Sequence, residues 1–217
     1  MKTSFRYLPI FAALVLPLLA ACSGTYYKAM ETMGYEKREI LVDRVEEARD
    51  AQEEASEQFT SALDQFRATV NFDGGDLEAT YDRLNSEYED SLSEAENVSA
   101  RIDSVESVSE DLFEEWQAEL AEYSNADMRR ESESMLRDTK SRFTQMMTAM
   151  RRAEKSMDPV LQAFQDQVLY LKHNLNARAI GALSKELDGI ERDTARLITD
   201  MQKAIAEADS FIRSMDR

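Results

Sequence analysis

Residues 77–116 read LEATYDRLNSEYEDSLSEAENVSARIDSVESVSEDLFEEW. Within this stretch, apolar, aromatic and small side chains recur in alternating steps of four and three residues, at Leu77, Tyr81, Leu84, Tyr88, Ser91, Ala95, Val98, Ile102, Val105, Ser109, Leu112 and Trp116. This spacing places them on one face of an α-helix and is the heptad pattern of long helices that pack side by side. The stretch therefore predicts one long helix that is buried along one face.

Three further stretches repeat the pattern, from Leu41 to Phe66, from Leu136 to Met157 and from Leu183 to Met215. Their repeating positions mix small, polar and aromatic residues, which favours an antiparallel bundle within one chain over a leucine-zipper dimer. The chain has only six Gly and three Pro and is rich in residues that favour helix. We predict an all-α fold, an elongated antiparallel bundle of three or four long coiled-coil-like helices.

The predicted helix ends follow from a small number of helix-breaking signals. Residues 71–76 (NFDGGD) combine two glycines with an Asp cap, and Asp158-Pro159 pairs a cap with a proline at the first helical position. Tyr123–Asp127 contains a weaker capping-box pattern, and at both this point and Asn174–Asn176 the chain either turns or continues as helix. We predict one elongated domain, residues 22–217, with helices over 28–70, 77–123, 127–156 and 159–214.

The first twenty-two residues predict export and a lipid anchor. Lys2 and Arg6 precede an apolar run from Leu8 to Leu19 that is too short to span a bilayer, and Ala20-Ala21 then leads into Cys22. A basic start, a short apolar run and small residues describe a signal peptide, here residues 1–21. The junction resembles the lipobox of bacterial lipoproteins, which implies acyl chains on Cys22. The alternative is an ordinary signal peptide that leaves Cys22 as a free thiol.

The residue after the cysteine bears on localisation. By resemblance to lipoproteins of Gram-negative bacteria, Ser23 favours the outer membrane, because an Asp at this position often retains a lipoprotein in the inner membrane. The body of the protein would then face the periplasm. Several acyl chains would anchor it firmly, because each buried methylene contributes about 0.8 kcal/mol.

Charge is distributed unevenly along the chain. Residues 23–125 contain 28 acidic and 8 basic side chains, whereas residues 126–217 contain 15 acidic and 16 basic ones. A locally basic stretch contains Arg129, Arg130, Arg137, Lys140, Arg142, Arg151, Arg152 and Lys155. It either lies against the acidic first half or forms a docking face for an anionic partner such as lipid headgroups. The predicted compartment and the net charge of −17 argue against nucleic acid as a partner.

Catalytic and metal-binding patterns are missing from the sequence. His173 is the single histidine, so one chain cannot supply two His ligands to a metal or two His residues to a catalytic site. The acidic residues lack the spacing of a calcium loop, and Asp73-Gly74-Gly75-Asp76 is better explained as a turn. Paired carboxylates are plentiful, but they recur on solvated helix faces. We therefore expect no enzymatic activity, no metal and no cofactor.

One segment differs from its acidic surroundings. Residues 164–180 (FQDQVLYLKHNLNARAI) combine closely spaced apolar residues with a polar cluster of Lys172, His173, Asn174 and Asn176. These four residues predict either a buried polar layer that fixes the register of the helices or a site for a partner.

The same segment, together with Phe72-Asp73-Gly74-Gly75-Asp76-Leu77-Glu78 and Leu112-Phe113-Glu114-Glu115-Trp116, resembles the proteobacterial lipoproteins grouped as domain of unknown function 2959. The resemblance extends from about Tyr26 to Ile212. It implies a helical lipoprotein of the cell envelope and brings no activity, substrate or catalytic residue.

Two functions fit these observations. At about 1.5 Å per residue the first two predicted helices would each reach about 65–70 Å, so the lipid-anchored body would be a rod. Such a rod suits a non-enzymatic spacer or interaction adaptor that reaches from the membrane toward peptidoglycan or another envelope protein. The sequence is compatible with more than one oligomeric state. The alternative is a holdase-like periplasmic carrier of apolar or cationic clients, which would use methionines such as Met146, Met147 and Met150 as an adaptable surface.

We predict that Cys22→Ala abolishes incorporation of a fatty-acid analogue, because the sulfur that would carry the lipid is removed. The body should remain helical by circular dichroism, since Cys22 is the single cysteine and no disulfide is lost. As a control, a chain beginning at Ser23 should be soluble, whereas the wild type should partition into detergent and fractionate with the outer membrane. Equal labelling of wild type and Cys22→Ala, or labelling of neither, would contradict the prediction.

Overall fold

A computed structural model describes residues 36–72 and 74–215. These residues form five α-helices and no strand, with α1 at Lys37–Val70, α2 at Leu77–Glu119, α3 at Ala126–His173, α4 at Ala177–Leu183 and α5 at Leu187–Met215. The four long helices pack against one another, which confirms the predicted all-α bundle. The predicted signal peptide, Cys22 and the predicted start of the first helix at residue 28 lie outside the described residues.

The four long helices form a ring in the order α1, α2, α3, α5 and back to α1. Ion pairs and a hydrogen bond between neighbouring helices show that each neighbouring pair is antiparallel. They join Lys37 to Glu115 (3.0 Å), Glu47 to Arg101 (2.7 Å), Arg49 to Asp209 (3.2 Å), Arg67 to Glu191 (2.7 Å), Ser99 to Glu154 (2.7 Å), Arg151 to Asp103 (2.7 Å) and Arg152 to Asp200 (3.0 Å). The topology is therefore up-down-up-down, as short connections between long helices require.

The core lies along the axis of this ring and is built from the heptad positions. In α2, for example, Val98, Ile102 and Val105 are fully buried. Aromatic side chains fill the core at two levels: Phe143 stacks edge-on against Phe113 and Phe211 near one end, and Phe66 contacts Phe164 near the other. Burial of these side chains holds the helices together, because isolated helices are only marginally stable in water. None of the helices in the described part of the chain is long and apolar enough to cross a membrane.

The turn between α1 and α2 has the structure that the sequence predicts. Gly74 and Gly75 adopt φ values of 129° and 125°, a region that favours glycine because side chains with a Cβ are strained there. Asp76 caps α2, and its carboxylate accepts hydrogen bonds from the backbone N–H groups of Glu78 (3.0 Å) and Ala79 (3.2 Å).

The chain also turns between α2 and α3, at the weaker of the predicted breaks. Helix α2 ends at Glu119 rather than at residue 123. Asn125 caps α3, because its side-chain oxygen accepts hydrogen bonds from the N–H groups of Asp127 (2.9 Å) and Met128 (3.3 Å). Of the two alternatives at this position, the chain therefore turns, and Asn125 is the residue that caps the next helix.

The predicted break at Ser156–Pro159 is wrong, and so are the predicted helices 127–156 and 159–214. Helix α3 continues through Pro159 to His173. A proline within a helix leaves the carbonyl four residues earlier, here that of Lys155, without its N–H partner. Lys155 and Pro159 are exposed, so solvent can hydrogen-bond to this carbonyl. Met157 and Val160 on the opposite face are buried and keep this part of the helix packed against the core.

The chain turns instead at Asn174–Asn176, where the sequence left a turn or a continuous helix open. Short helix α4 follows, and after a second turn α5 begins at Leu187. Helix α4 packs against α1 and α3 and covers the end of the bundle. Its buried residues Ala179, Ile180 and Leu183 extend the core to this end.

The core contains one amide group without a partner. Gln52 of α1 is fully buried, and neither its Nε2 nor its Oε1 has a hydrogen-bond partner among the described residues. A buried polar group in this condition costs about 1–3 kcal/mol of stability. Gln52 occupies a heptad position, so its side chain points into the bundle whatever its polarity.

We predict that Gln52→Met stabilises the bundle by about 1–2 kcal/mol, because a side chain of similar length replaces an amide that lacks hydrogen bonds. Chemical denaturation followed by circular dichroism measures the change. Gln117→Met is the matched control, since Gln117 is exposed and should leave stability within about 0.5 kcal/mol of the wild type. A Gln52→Met protein less stable than the wild type would contradict the prediction.

Candidate functional site

The polar cluster predicted from the sequence lies at the turn between α3 and α4. The side-chain amide of Asn174 donates to the carbonyl of Tyr170 (2.9 Å), which satisfies a carbonyl in the last turn of α3. The side-chain oxygen of Asn176 accepts hydrogen bonds from the N–H groups of Arg178 (3.0 Å) and Ala179 (3.2 Å). The two asparagines therefore cap the adjacent ends of two helices and fix the path of the chain between them.

These residues do not form a buried polar layer. Lys172, His173 and Asn176 are exposed, and Asn174 is half-buried. The prediction of a register-fixing layer is therefore wrong, because Lys172 and His173 follow the buried Leu171 on the solvent side of the last helical turn. The alternative prediction, a site for a partner, is compatible with this exposure and stays a prediction.

Three large apolar side chains are exposed beside this cluster. Leu169, Tyr170 and Leu175 have exposed fractions of 49%, 41% and 44%. Residues three and four positions apart are neighbours on a helix surface, so Leu169 lies beside Lys172 and His173. We call the surface formed by Leu169, Tyr170, Lys172, His173 and Leu175 the distal patch.

Buried residues of the same helical turns hold the distal patch in place. Val168 and Leu171 project from the same helical turns into the core and are 4% and 0% exposed. The asparagine caps hold the turn that carries Leu175. A sequence signal for this surface does exist. Leu169 and Tyr170 are apolar although they lie between the heptad positions Val168 and Leu171, where polar residues are expected.

The distal patch is far from the start of α1. Phe66, near the end of α1, contacts Phe164 of α3 with 6.4 Å between ring centroids, so the two helices end at the same end of the bundle. Helix α1 contains 34 residues and spans about 50 Å. Lys37 and the distal patch therefore lie at opposite ends of the bundle, about 50 Å apart.

Some side chains of the basic stretch in α3 contact the neighbouring helix α2. Arg151 bonds to Asp103 (2.7 Å) and Glu106 (2.5 Å) of α2 and to Glu154 (3.0 Å) of its own helix. Burial lowers the pKa of Arg151, but the hydrogen bonds to these three carboxylates outweigh it, so the net effect is a raised pKa. Lys140 lies over the ring of Phe113, 5.5 Å from its centroid. The stretch therefore lies against the acidic first half of the chain at these positions.

Other residues singled out in the sequence have structural contacts. The indole N–H of Trp116 donates to the hydroxyl of Ser132 (2.8 Å), and Glu115 pairs with Lys37. Among residues 36–72 and 74–215, no group of three or more His, Cys, Asp or Glu side chains is arranged to hold a metal ion.

The architecture is that of an antiparallel four-helix bundle with a short fifth helix covering one end. The chain belongs to the family described as protein of unknown function (DUF2959), whose sequence profile matches residues 26–215. This confirms the resemblance seen in the sequence. No curated protein matches the chain.

Proposed function

We propose that this protein is a periplasmic lipoprotein, anchored through Cys22 to the inner leaflet of the outer membrane, that acts as a non-enzymatic spacer or interaction adaptor. One observation carries the proposal: the distal patch lies at the end of the bundle opposite Lys37. Cys22 lies fifteen residues before Lys37 in the chain, so a lipid on it would connect to the end of the bundle opposite the patch. The patch would then lie about 50 Å from the residue at which the bundle begins, Lys37.

The chemistry of the distal patch favours a protein partner in the envelope. Tyrosine is enriched at protein interfaces, where an apolar ring with a polar tip combines burial with hydrogen bonding. Exposed leucines beside Tyr170 add apolar area, and Lys172 and His173 add hydrogen-bond donors. Because buried residues hold the distal patch in place, less entropy is lost on binding. Peptidoglycan is the other candidate partner, and the experiment below distinguishes it from a protein.

The alternative function, a holdase-like carrier, requires the helices to separate and expose the buried heptad positions. Met146, Met147 and Met150 are 0%, 8% and 0% exposed. Their burial supports the spacer over the carrier, because in the closed bundle these methionines fill the core and offer no surface to a client.

We predict that a photoreactive phenylalanine analogue at position 170 forms a covalent adduct with a specific envelope component in cells. The matched control carries the same analogue at Leu92 in α2, which is also an exposed apolar residue (37%) but lies away from the distal patch. Mass spectrometry of the adducts identifies the partner as a protein or as a cell-wall fragment.

Introducing Leu169→Ser and Leu175→Ser together should remove the adduct at position 170 without unfolding the bundle, because exposed positions contribute little to stability. Identical adducts from positions 170 and 92, or no adduct above background at position 170, would contradict the proposed adaptor function.

A further inference from the structure

The end of the bundle where α1 begins contains a cavity of about 480 Å³. All four long helices line it: Arg38 comes from α1, Trp116 from α2, Arg142 and Asp138 from α3, and Arg213 from α5. The cavity is therefore a product of the assembled bundle, and no single helix could form it.

Three arginines from three helices converge on this cavity, and Asp138 is the one acidic side chain in its lining. None of the three arginines has a carboxylate within 4.0 Å among the described residues. Arg49, Arg67 and Arg151, by contrast, each have at least two acidic partners. Three arginines and one aspartate leave a net positive charge around the cavity, which a bound anion would neutralise.

The lining favours a phosphate group that is attached to an apolar body. Guanidinium groups match phosphate geometry and donate paired hydrogen bonds to it. Thr139 and Ser210 also line the cavity, as does Ser214, whose hydroxyl donates to the carbonyl of Phe211 (2.7 Å). The indole N–H of Trp116 is already used by Ser132, so Trp116 offers its ring to a ligand, and Met135 (52% exposed) extends the apolar wall.

The volume and position of the cavity identify the ligand class. Small-molecule sites typically have volumes of about 300–1,000 Å³, so a cavity of about 480 Å³ accommodates a headgroup rather than a lone phosphate ion. Arginines beside a tryptophan are suited to the interface of an anionic membrane. We propose that this cavity binds the phosphate-bearing headgroup of an anionic phospholipid.

The site would orient the rod. A headgroup bound between Arg38, Arg142 and Arg213 would hold this end of the bundle at the membrane surface and direct the distal patch away from it. The inference does not require a lipid on Cys22 or a partner at the distal patch, since the residues of the site all lie within the bundle.

Fluorescence provides the test, because Trp116 lines the cavity and is the single tryptophan of the chain. The protein would begin at Ser23, so that no anchor contributes to binding; it keeps every described contact of the bundle, all of which lie within residues 36–215. We expect vesicles of phosphatidylglycerol mixed with phosphatidylcholine to shift Trp116 emission to shorter wavelength, and brominated phosphatidylglycerol to quench it. Vesicles of phosphatidylcholine alone should do neither.

Arg142→Gln combined with Arg213→Gln should weaken binding to the anionic vesicles about tenfold, because two headgroup contacts are removed. The matched control combines Arg178→Gln and Arg192→Gln, which removes the same charge from exposed positions in α4 and α5 away from the cavity. The control should bind within about twofold of the wild type, and circular dichroism should show that both variants are folded.

Four results would overturn the proposal. The first three are equal binding by the cavity variant and the wild type, equal weakening by the two double variants, and equal binding to neutral and anionic vesicles. Stabilisation of the wild type by inorganic phosphate without any response to anionic vesicles would also overturn it, since the site would then recognise a free anion and not a lipid. Failure of the adaptor proposal would leave these vesicle results unchanged.

Discussion

Burial of one narrow stripe along each long helix is the constraint on which the rest of the structure depends. The buried side chains of each stripe repeat every seven residues, which is about two helical turns. Helices of 29–48 residues therefore stay in contact along their length. The stripes alternate large side chains such as Phe59 with small ones such as Ala55 and Ala62, all of them buried. Close packing of this kind compensates for the loss of conformational entropy and leaves the outer faces free to be charged.

The charged outer faces give the bundle two chemically different ends. Along the sides, ion pairs such as those of Arg67 and Arg151 join neighbouring helices and are partly exposed, so they contribute to helix register more than to stability. At one end three arginines converge without acidic partners, and at the other end Leu169, Tyr170 and Leu175 are exposed. Their separation by the length of the bundle is the geometry on which the proposed adaptor function rests.

The bundle could be predicted from the sequence because heptad spacing is a local signal. Every residue at a predicted heptad position is buried or half-buried in the structure. The break predicted at Asp158-Pro159 is absent because the buried heptad positions continue through Met157, Val160 and Phe164, and their burial outweighs the local signal of a cap and a proline. The sequence left a turn and a continuous helix open at Asn174–Asn176, so the capping role of Asn174 and Asn176 is seen only in the folded chain, where α3 ends at His173. Of the three arginines at the cavity, only Arg142 belongs to the basic stretch identified from the sequence, and Arg38 and Arg213 join it only through the antiparallel order of the helices.

A distance between two spin labels shows whether the bundle is a rigid rod with two separated ends. With Cys22 absent from a chain beginning at Ser23, cysteines introduced at the exposed positions Glu39 and Leu175 would be the only labelling sites. We expect a single narrow distribution of distances centred at about 45–50 Å. A distribution centred below about 30 Å, or a broad one without a defined maximum, would contradict it, because the two ends would then lie close together or move independently.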